Sequence, residues 1–255
     1  MKKFLVIAFF LSLIANCNAE DKSRVWLDSI CTSKDLKGVN PSLLNTFDIS
    51  NLISNVSRFE HDPMIYYTGT FGSTFKKIDI KLKITKSDSI SLLYNVSGFD
   101  RLGNNIRPID GFMRITSVLK FQHGSEYGNL HLIILDCHFF EPGDRDGDGE
   151  FSGIFTITAD VNNNSIDLIY SESGDFREYT NVFVGNWMKY NSSSLKSTIF
   201  SINPIGLYCE LPLSKDFYTF DTDNEDICLP KNKYIQNGWK NYSPKDKIKW
   251  WNDKP

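Results

Sequence analysis

The sequence predicts a mainly β protein: an antiparallel meander closing into a barrel or curling into a sandwich, with a short N-terminal helical segment and an irregular, disulfide-tied C-terminal appendage. Three observations predict it. Between residues 64 and 205 apolar and polar residues alternate in short runs, the period of a half-buried strand. Turn clusters such as Gly103-Asn104-Asn105 and Asn162-Asn163-Asn164 separate those runs. Apolar residues at helical spacing occur only before residue 60, and little periodicity of any kind survives beyond residue 205. The expected organisation is a signal peptide over 1–19, a helical segment over 20–60, a β domain over 61–205 and an irregular extension over 206–255.

Lys2 and Lys3 precede an apolar run over 4–15, interrupted only by Ser12. A bilayer span needs about 20 apolar residues, so this run reads as the hydrophobic region of a secretory signal. Cleavage after Ala19 would start the mature chain at Glu20. A second reading takes Ile14-Ala15-Asn16-Cys17 as similar to a lipobox, with Cys17 becoming a lipidated first residue; Asn16 departs from the small residue usual there, so simple cleavage is favoured. The protein is therefore expected to be exported, periplasmic or secreted, or tethered to the envelope by lipid, with no transmembrane segment.

Cysteine usage agrees with export. Loss of the leader leaves Cys31, Cys137, Cys209 and Cys228, an even set suited to an oxidising compartment. Several pairings are open. A local Cys209–Cys228 bridge would close a loop in the least regular part of the chain, leaving Cys31–Cys137 to anchor the N-terminal segment to the sheet. Each bridge, if unstrained, would contribute about 3–4 kcal/mol.

With 41% hydrophobic residues the chain can bury a packed core, and its net charge of −3 offers no concentrated basic face, which excludes a nucleic-acid footprint. Asn40 can cap a helix that has Pro41 at its first position and Leu43, Leu44 and Phe47 following. Leu52, Ile53, Val56 and Phe59 continue an apolar face. Ile78, Ile80, Leu82 and Ile84 then alternate with Asp79, Lys81 and Lys83. Further strands are expected over 91–96, 111–116, 118–122, 130–139, 151–159, 165–170, 182–190 and 197–202.

The run Asp144-Arg145-Asp146-Gly147-Asp148-Gly149-Glu150-Phe151-Ser152 carries the only specific chemistry suggested by the chain. It resembles EF-hand-like calcium loops. Asp144, Asp146 and Asp148 fill positions 1, 3 and 5, Gly149 position 6, the Glu150 carbonyl position 7 and Ser152 position 9. The resemblance covers about nine residues and stops at position 12, where Phe155 replaces the bidentate glutamate. The flanks also read as strands. A calcium ion would need an outside carboxylate, with Glu141 and Asp160 nearest in sequence, and would bind at about 10⁻⁴–10⁻³ M. The competing reading is a plain hairpin, since Asp-Gly pairs supply the positive φ of tight turns. Three crowded aspartates need neutralising, which favours calcium.

Phe183-Val184-Gly185-Asn186-Trp187 resembles the F-x-G-x-W strand motif of calycin barrels, the lipocalin and avidin group, and Tyr67-Thr68-Gly69-Thr70-Phe71 echoes it more faintly. The motif opens a lipocalin barrel but falls near the last strand here, so the resemblance implies architecture only, and Trp187 is expected in the core. His131 and His138 face opposite sides of one strand. Asp136 and His138 share a face as a surface pair. The Gly238-Trp239 and Trp250-Trp251 pairs suit either sugar stacking or packing onto the barrel.

The expected function is that of an exported, non-catalytic binding or interaction protein, its small-molecule or protein partner unidentified, with calcium ordering one hairpin. The alternative is an envelope-glycan hydrolase, which needs two carboxyls held about 5–10 Å apart across a cleft.

Overall fold

In the computed structural model the described residues are 22–54, 57–59, 62–63, 66–122, 129–162, 164–169, 181–202, 215–220, 228–242 and 249–252, with the side chains of 57–59 and 62–63 left aside. Helix α1 (Lys22–Cys31) leads to strand β1 (Leu36–Val39), a 3-10 turn (Pro41–Leu44) and the short helix α2 (Ser50–Ser54). A small ribbon of β2 (Ser57–Phe59) and β3 (Asp62–Pro63) follows. Then come β4 (Tyr67–Phe71), β5 (Lys76–Lys86), β6 (Leu93–Leu102), β7 (Asn105–Phe121), β8 (Leu130–Phe140), β9 (Gly149–Val161) and β10 (Ile166–Leu168). The series ends with β11 (Val182–Lys189), β12 (Leu195–Ser201), β13 (Tyr218–Phe220) and β14 (Cys228–Pro230).

Eight of these strands close into an antiparallel ring in the order β4-β5-β6-β7-β8-β9-β11-β12, with β12 returning to β4. β1 adds to one end of β7 and β10 to one end of β9. The closing contact is short, from Thr68 opposite Ser201 to Phe71 opposite Thr198. It depends on Gly69, where an added Cβ would stand 1.9 Å from Ile199 O and 2.5 Å from the Phe200 Cα. Only glycine lets the two strands approach so closely.

The expected alternation holds on β5, where Ile78, Ile80, Leu82 and Ile84 are buried inside the ring and Lys83 faces out. The segments 111–116 and 118–122 are one strand rather than two, because the register shifts between Ile115 and Ser117 and the inward phase passes from Ile115 to Val118. Inside, Phe183 stacks on Phe200 at 4.5 Å, and Tyr67 packs edge-on against Phe155 at 5.7 Å. One end of the ring is stoppered by Leu44, Ile49 and Ile53. There Tyr67 Oη donates to Ile53 O at 2.7 Å and Asn181 Nδ2 to Leu52 O at 2.8 Å. Asn40 caps the 3-10 turn as expected, its Oδ1 accepting from Ser42 N. The N-terminal segment is not purely helical, since β1 joins the sheet.

A second apolar layer lies outside. Trp26 and Ile30 of α1, with Phe217 and Trp239 from the C-terminal extension, cover Leu132, Ile134, Val182, Val184 and Ile199. These strands are buried on both faces, hence their near-continuous apolar sequence. The extension is more regular than its sequence suggested: β13 pairs with β14 and a 3-10 helix spans Asn232–Asn237. It is pinned where Trp239 Nε1 donates to Phe75 O at 2.8 Å and Asn237 Nδ2 to Thr74 O at 2.7 Å. Trp250 covers the guanidinium of Arg101 at 4.9 Å, and Arg101 with Lys77 and Thr68 satisfies the buried carboxylate of Asp79.

The expected Cys31–Cys137 bridge is not formed, and both cysteines are free thiols. The sheet separates them: Cys31 is exposed at the end of α1 in the outer layer, whereas Cys137 points into the ring. Cys228 is disulfide-bonded. Its expected partner Cys209 lies outside the described residues, as do Cys17 and the segment 1–19. Among the described residues no helix is long and apolar enough to cross a membrane.

Candidate functional site

The turns β4–β5, β6–β7, β8–β9 and β11–β12 gather at the end of the ring opposite the stopper. There a cavity of about 280 Å³ opens. Phe71, Ile78, Leu102 and Phe151 supply its apolar surface. Asp100, Arg107, Glu141, Trp187, Lys189 and Lys196 supply the polar atoms and an indole.

The hairpin β6–β7 sets Asp100 directly across from Arg107. Both fall on the inward phase of their strands, with Val96 before Asp100 and Ile109 after Arg107. Glu141 leaves β8 and is 3% exposed; Asp148 enters β9 and is 1% exposed. Arg107 therefore stands among three carboxylates: Nε lies 3.0 Å from Asp148 Oδ1 and 3.8 Å from Glu141 Oε1, and Nη1 lies 3.9 Å from Asp100 Oδ1. Glu141 Oε2 also accepts from Gly149 N and, at 3.3 Å, from Trp187 Nε1.

Burial pushes the Asp100 carboxyl well above the usual carboxylate range, and the neighbouring Glu141 charge pushes it further, against the pull of Arg107. Burial raises Glu141 too, while Arg107 and its hydrogen bond with Asp100 pull it back. Both carboxyls are thus pushed toward their protonated forms, Asp100 the more strongly. Asp100 Oδ2 accepts no hydrogen bond from a protein N–H or O–H group.

The predicted calcium residues are placed differently from an EF-hand loop. The sharp backbone positions are Gly143 (φ 84) and Gly147 (φ 100), not Gly149. Gly149 begins β9 and is glycine for another reason: an added Cβ would stand 2.2 Å from Met188 O and 2.7 Å from the Trp187 ring. Asp148 turns back into its own loop, where Oδ2 accepts from Gly143 N at 3.1 Å and Arg145 N at 3.2 Å. Asp146 is exposed and pairs with Lys189, and Asp144 is exposed. Glu150 and Ser152 lie on β9, opposite Phe140 and His138. Among the described residues no three His, Cys, Asp or Glu side chains gather as metal ligands. Asp160, suggested as an outside ligand, pairs with Leu130 at the far end of β9 from the loop.

Sequence reasoning found Asp148 and, as a possible outside ligand, Glu141. It passed over Asp100, Arg107 and Lys196. A signal was present: a charged residue at the core phase of each strand of one hairpin. Trp187 packs in the core as expected, 5.3 Å from Phe71, and also lines the cavity. His131 is buried and His138 lies across the sheet from it, 3.6 Å from Asp136 and stacked on Phe112. Trp239 and Trp250 are buried, whereas Trp251 borders a shallow outer groove beside Lys81.

No family model matches the chain, and the comparisons with curated proteins and with solved structures find no match either.

Proposed function

We propose that the protein is a non-catalytic binding protein acting outside the cytoplasm, and that the ring is a small barrel whose open mouth receives a small ligand. The supporting observation is the 280 Å³ cavity to which strands all round the ring contribute, above an interior filled with aromatic and aliphatic side chains. Mouths of barrels, apolar with a few convergent polar groups, are common ligand sites. The alternative of a glycan hydrolase is less well supported. Its two carboxyls must face each other across a cleft at least about 5 Å apart, whereas Asp100 and Glu141 are both engaged with the guanidinium of Arg107. Export rests on the leader over 1–19, and a Cys209–Cys228 bridge is the pairing we favour for Cys228.

Weak calcium binding at the β8–β9 hairpin remains part of the proposal. The electrostatic reason for it is diminished, because Arg107 and Lys189 already neutralise Asp148 and Asp146.

The test is a thermal-shift screen of small polar compounds against the wild type and Leu102→Trp, which fills the mouth. Compounds that stabilise only the wild type support the reading. It fails if no compound discriminates between the two proteins, or if the purified protein cleaves envelope glycans.

A further inference from the structure

A second cavity, of about 390 Å³, lies on the outer face of the ring over β5, β6 and β7. Its volume is within the range of small-ligand sites, about 300–1,000 Å³. Two rows of outward side chains cross it. In one, Lys83 stands across from Ser97, and Ser97 across from Asp110. In the next, Lys81 stands across from Phe99, and Phe99 across from Pro108. Trp251, on the 3-10 turn Trp250–Asn252, walls the Lys81 end. The first row carries one cation and one anion, both exposed. The second is apolar but for a single amine.

Lys81 is the group without a match. Its side chain is partly buried, and its ammonium lies 5.4 Å from the centre of the Trp251 ring. Its acceptor among the described residues is Ser54 O at 3.4 Å, beyond the usual N–H···O distance of about 2.7–3.2 Å. It makes no ion pair among the described residues, and burial lowers its pKa with no carboxylate to hold it up. An anion set beside it meets a cation that has already lost part of its hydration, where a charge-assisted hydrogen bond is strong. A neutral ligand would leave the ammonium as it is, and a cationic one would face Lys81 and Lys83 together. Beyond the amine, Phe99 and Pro108 offer a ligand only carbon. A peptide suits the groove poorly. β6 beneath it is paired on both sides, so its backbone is spent within the sheet and cannot hold an added strand.

We propose that this groove is a second binding site whose ligand is a small apolar carboxylate. Its head pairs with Lys81, and its hydrocarbon body, chain or ring, lies on Phe99, Pro108 and Trp251. The groove is separate from the mouth. Asp100 and Arg107 fall on the inward phase of the same two strands that carry Phe99 and Pro108 outward, so the sheet itself divides the two sites.

The experiment titrates the full mature chain by calorimetry with octanoate and hydrocinnamate, each beside the alcohol and the ammonium of the same carbon skeleton, below the concentrations at which they self-associate. At least one carboxylate should bind, at least about tenfold more tightly than its alcohol and its ammonium. Lys81→Met, which keeps the length of the side chain, should cost about tenfold or more in affinity. Lys83→Met should cost less, since an exposed charge contributes little. Ser97→Trp, at an exposed position, should fill the groove and abolish binding. Melting curves establish that the variants are folded, and Lys81→Gln gives the same reading should Lys81→Met unfold. Equal or tighter binding of an alcohol or an ammonium overturns the proposal, as does an equal loss from Lys81→Met and Lys83→Met. Binding that Ser97→Trp leaves intact overturns it too, and binding that Leu102→Trp blocks moves the ligand to the mouth. If neither carboxylate binds the wild type, the proposal falls while the reading of the mouth stands.

Discussion

Arg107 Nε lies 3.0 Å from Asp148 Oδ1, and this ion pair ties the β6–β7 hairpin to the β8–β9 hairpin across the mouth of the ring. Asp148 is fully buried and Arg107 nearly so, so removing the guanidinium leaves a cluster of acids without its cation. Breaking a buried pair from one side typically costs about 3–5 kcal/mol. Arg107→Gln should destabilise by an amount of that order in urea unfolding. A loss within the scatter of surface substitutions would show that the cluster does not hold the hairpins.

Asp100 gives the fold a pH dependence of defined sign. Its folded pKa lies well above the unfolded value because of burial and then Glu141, so the folded state retains a proton that the unfolded chain has released. The stabilisation from this group is complete below the ordinary carboxylate range and is lost as pH rises through the folded value. Asp100→Asn should flatten that fall and be relatively more stable at pH 8 than at pH 4, read as melting temperatures across the interval. Parallel curves for the two proteins would rule out a raised Asp100 carboxyl.

A calcium ion at the β8–β9 hairpin has to take Asp148 from Arg107 and Asp146 from Lys189. Wild-type affinity should therefore sit near 10⁻³ M, the weak end of extracellular sites, and Arg107→Gln should tighten it. Melting temperatures in calcium and in chelator, compared for both proteins, provide the measurement. Identical values in both media for both proteins would dispose of the cation site.

The outer face has its own buried anion. Asp79 accepts from Thr68 and Arg101 and pairs with Lys77 beneath the C-terminal extension. Asp79→Ala strands two cations and frees the surface on which Trp250 rests, and should cost about 3 kcal/mol. Early proteolysis of the extension should accompany that loss. An intact extension and an unaltered midpoint would contradict the arrangement.

The two free thiols differ in access. Cys31 is exposed and Cys137 is buried, its thiol pushed up by burial. Iodoacetamide should label Cys31 in the native protein and Cys137 only in denaturant, as located by peptide mass spectrometry. Native protection of Cys31 would restore the bridge that the sequence suggested.

Strands were legible where one face meets the core and the other meets water, as along Ile78, Ile80, Leu82 and Ile84. They were less legible where tertiary packing overrides the pattern. β4 carries Thr68, Gly69 and Thr70, polar or featureless in sequence yet buried because the ring closes over them. Helix α1 shows only Trp26 and Ile30 as its buried apolar contacts, too few to mark a period. The acidic hairpin was found by its density of aspartates, but the partner of its buried Asp148 was not. The cation that neutralises Asp148 is a side chain 41 residues earlier, and no local spacing encodes that partner.

The short seam between β4 and β12 has a consequence for how the chain assembles. The hairpins β4–β5, β5–β6, β6–β7, β7–β8 and β8–β9 join neighbours in sequence and can zip up locally, whereas the seam unites the first strand of the ring with the last and must await nearly the whole domain. Non-local pairings of this kind slow folding. Until Gly69 meets Phe200, two bare strand edges are open to pairing with other chains. A newly made molecule is therefore most vulnerable to aggregation in the interval before that seam shuts.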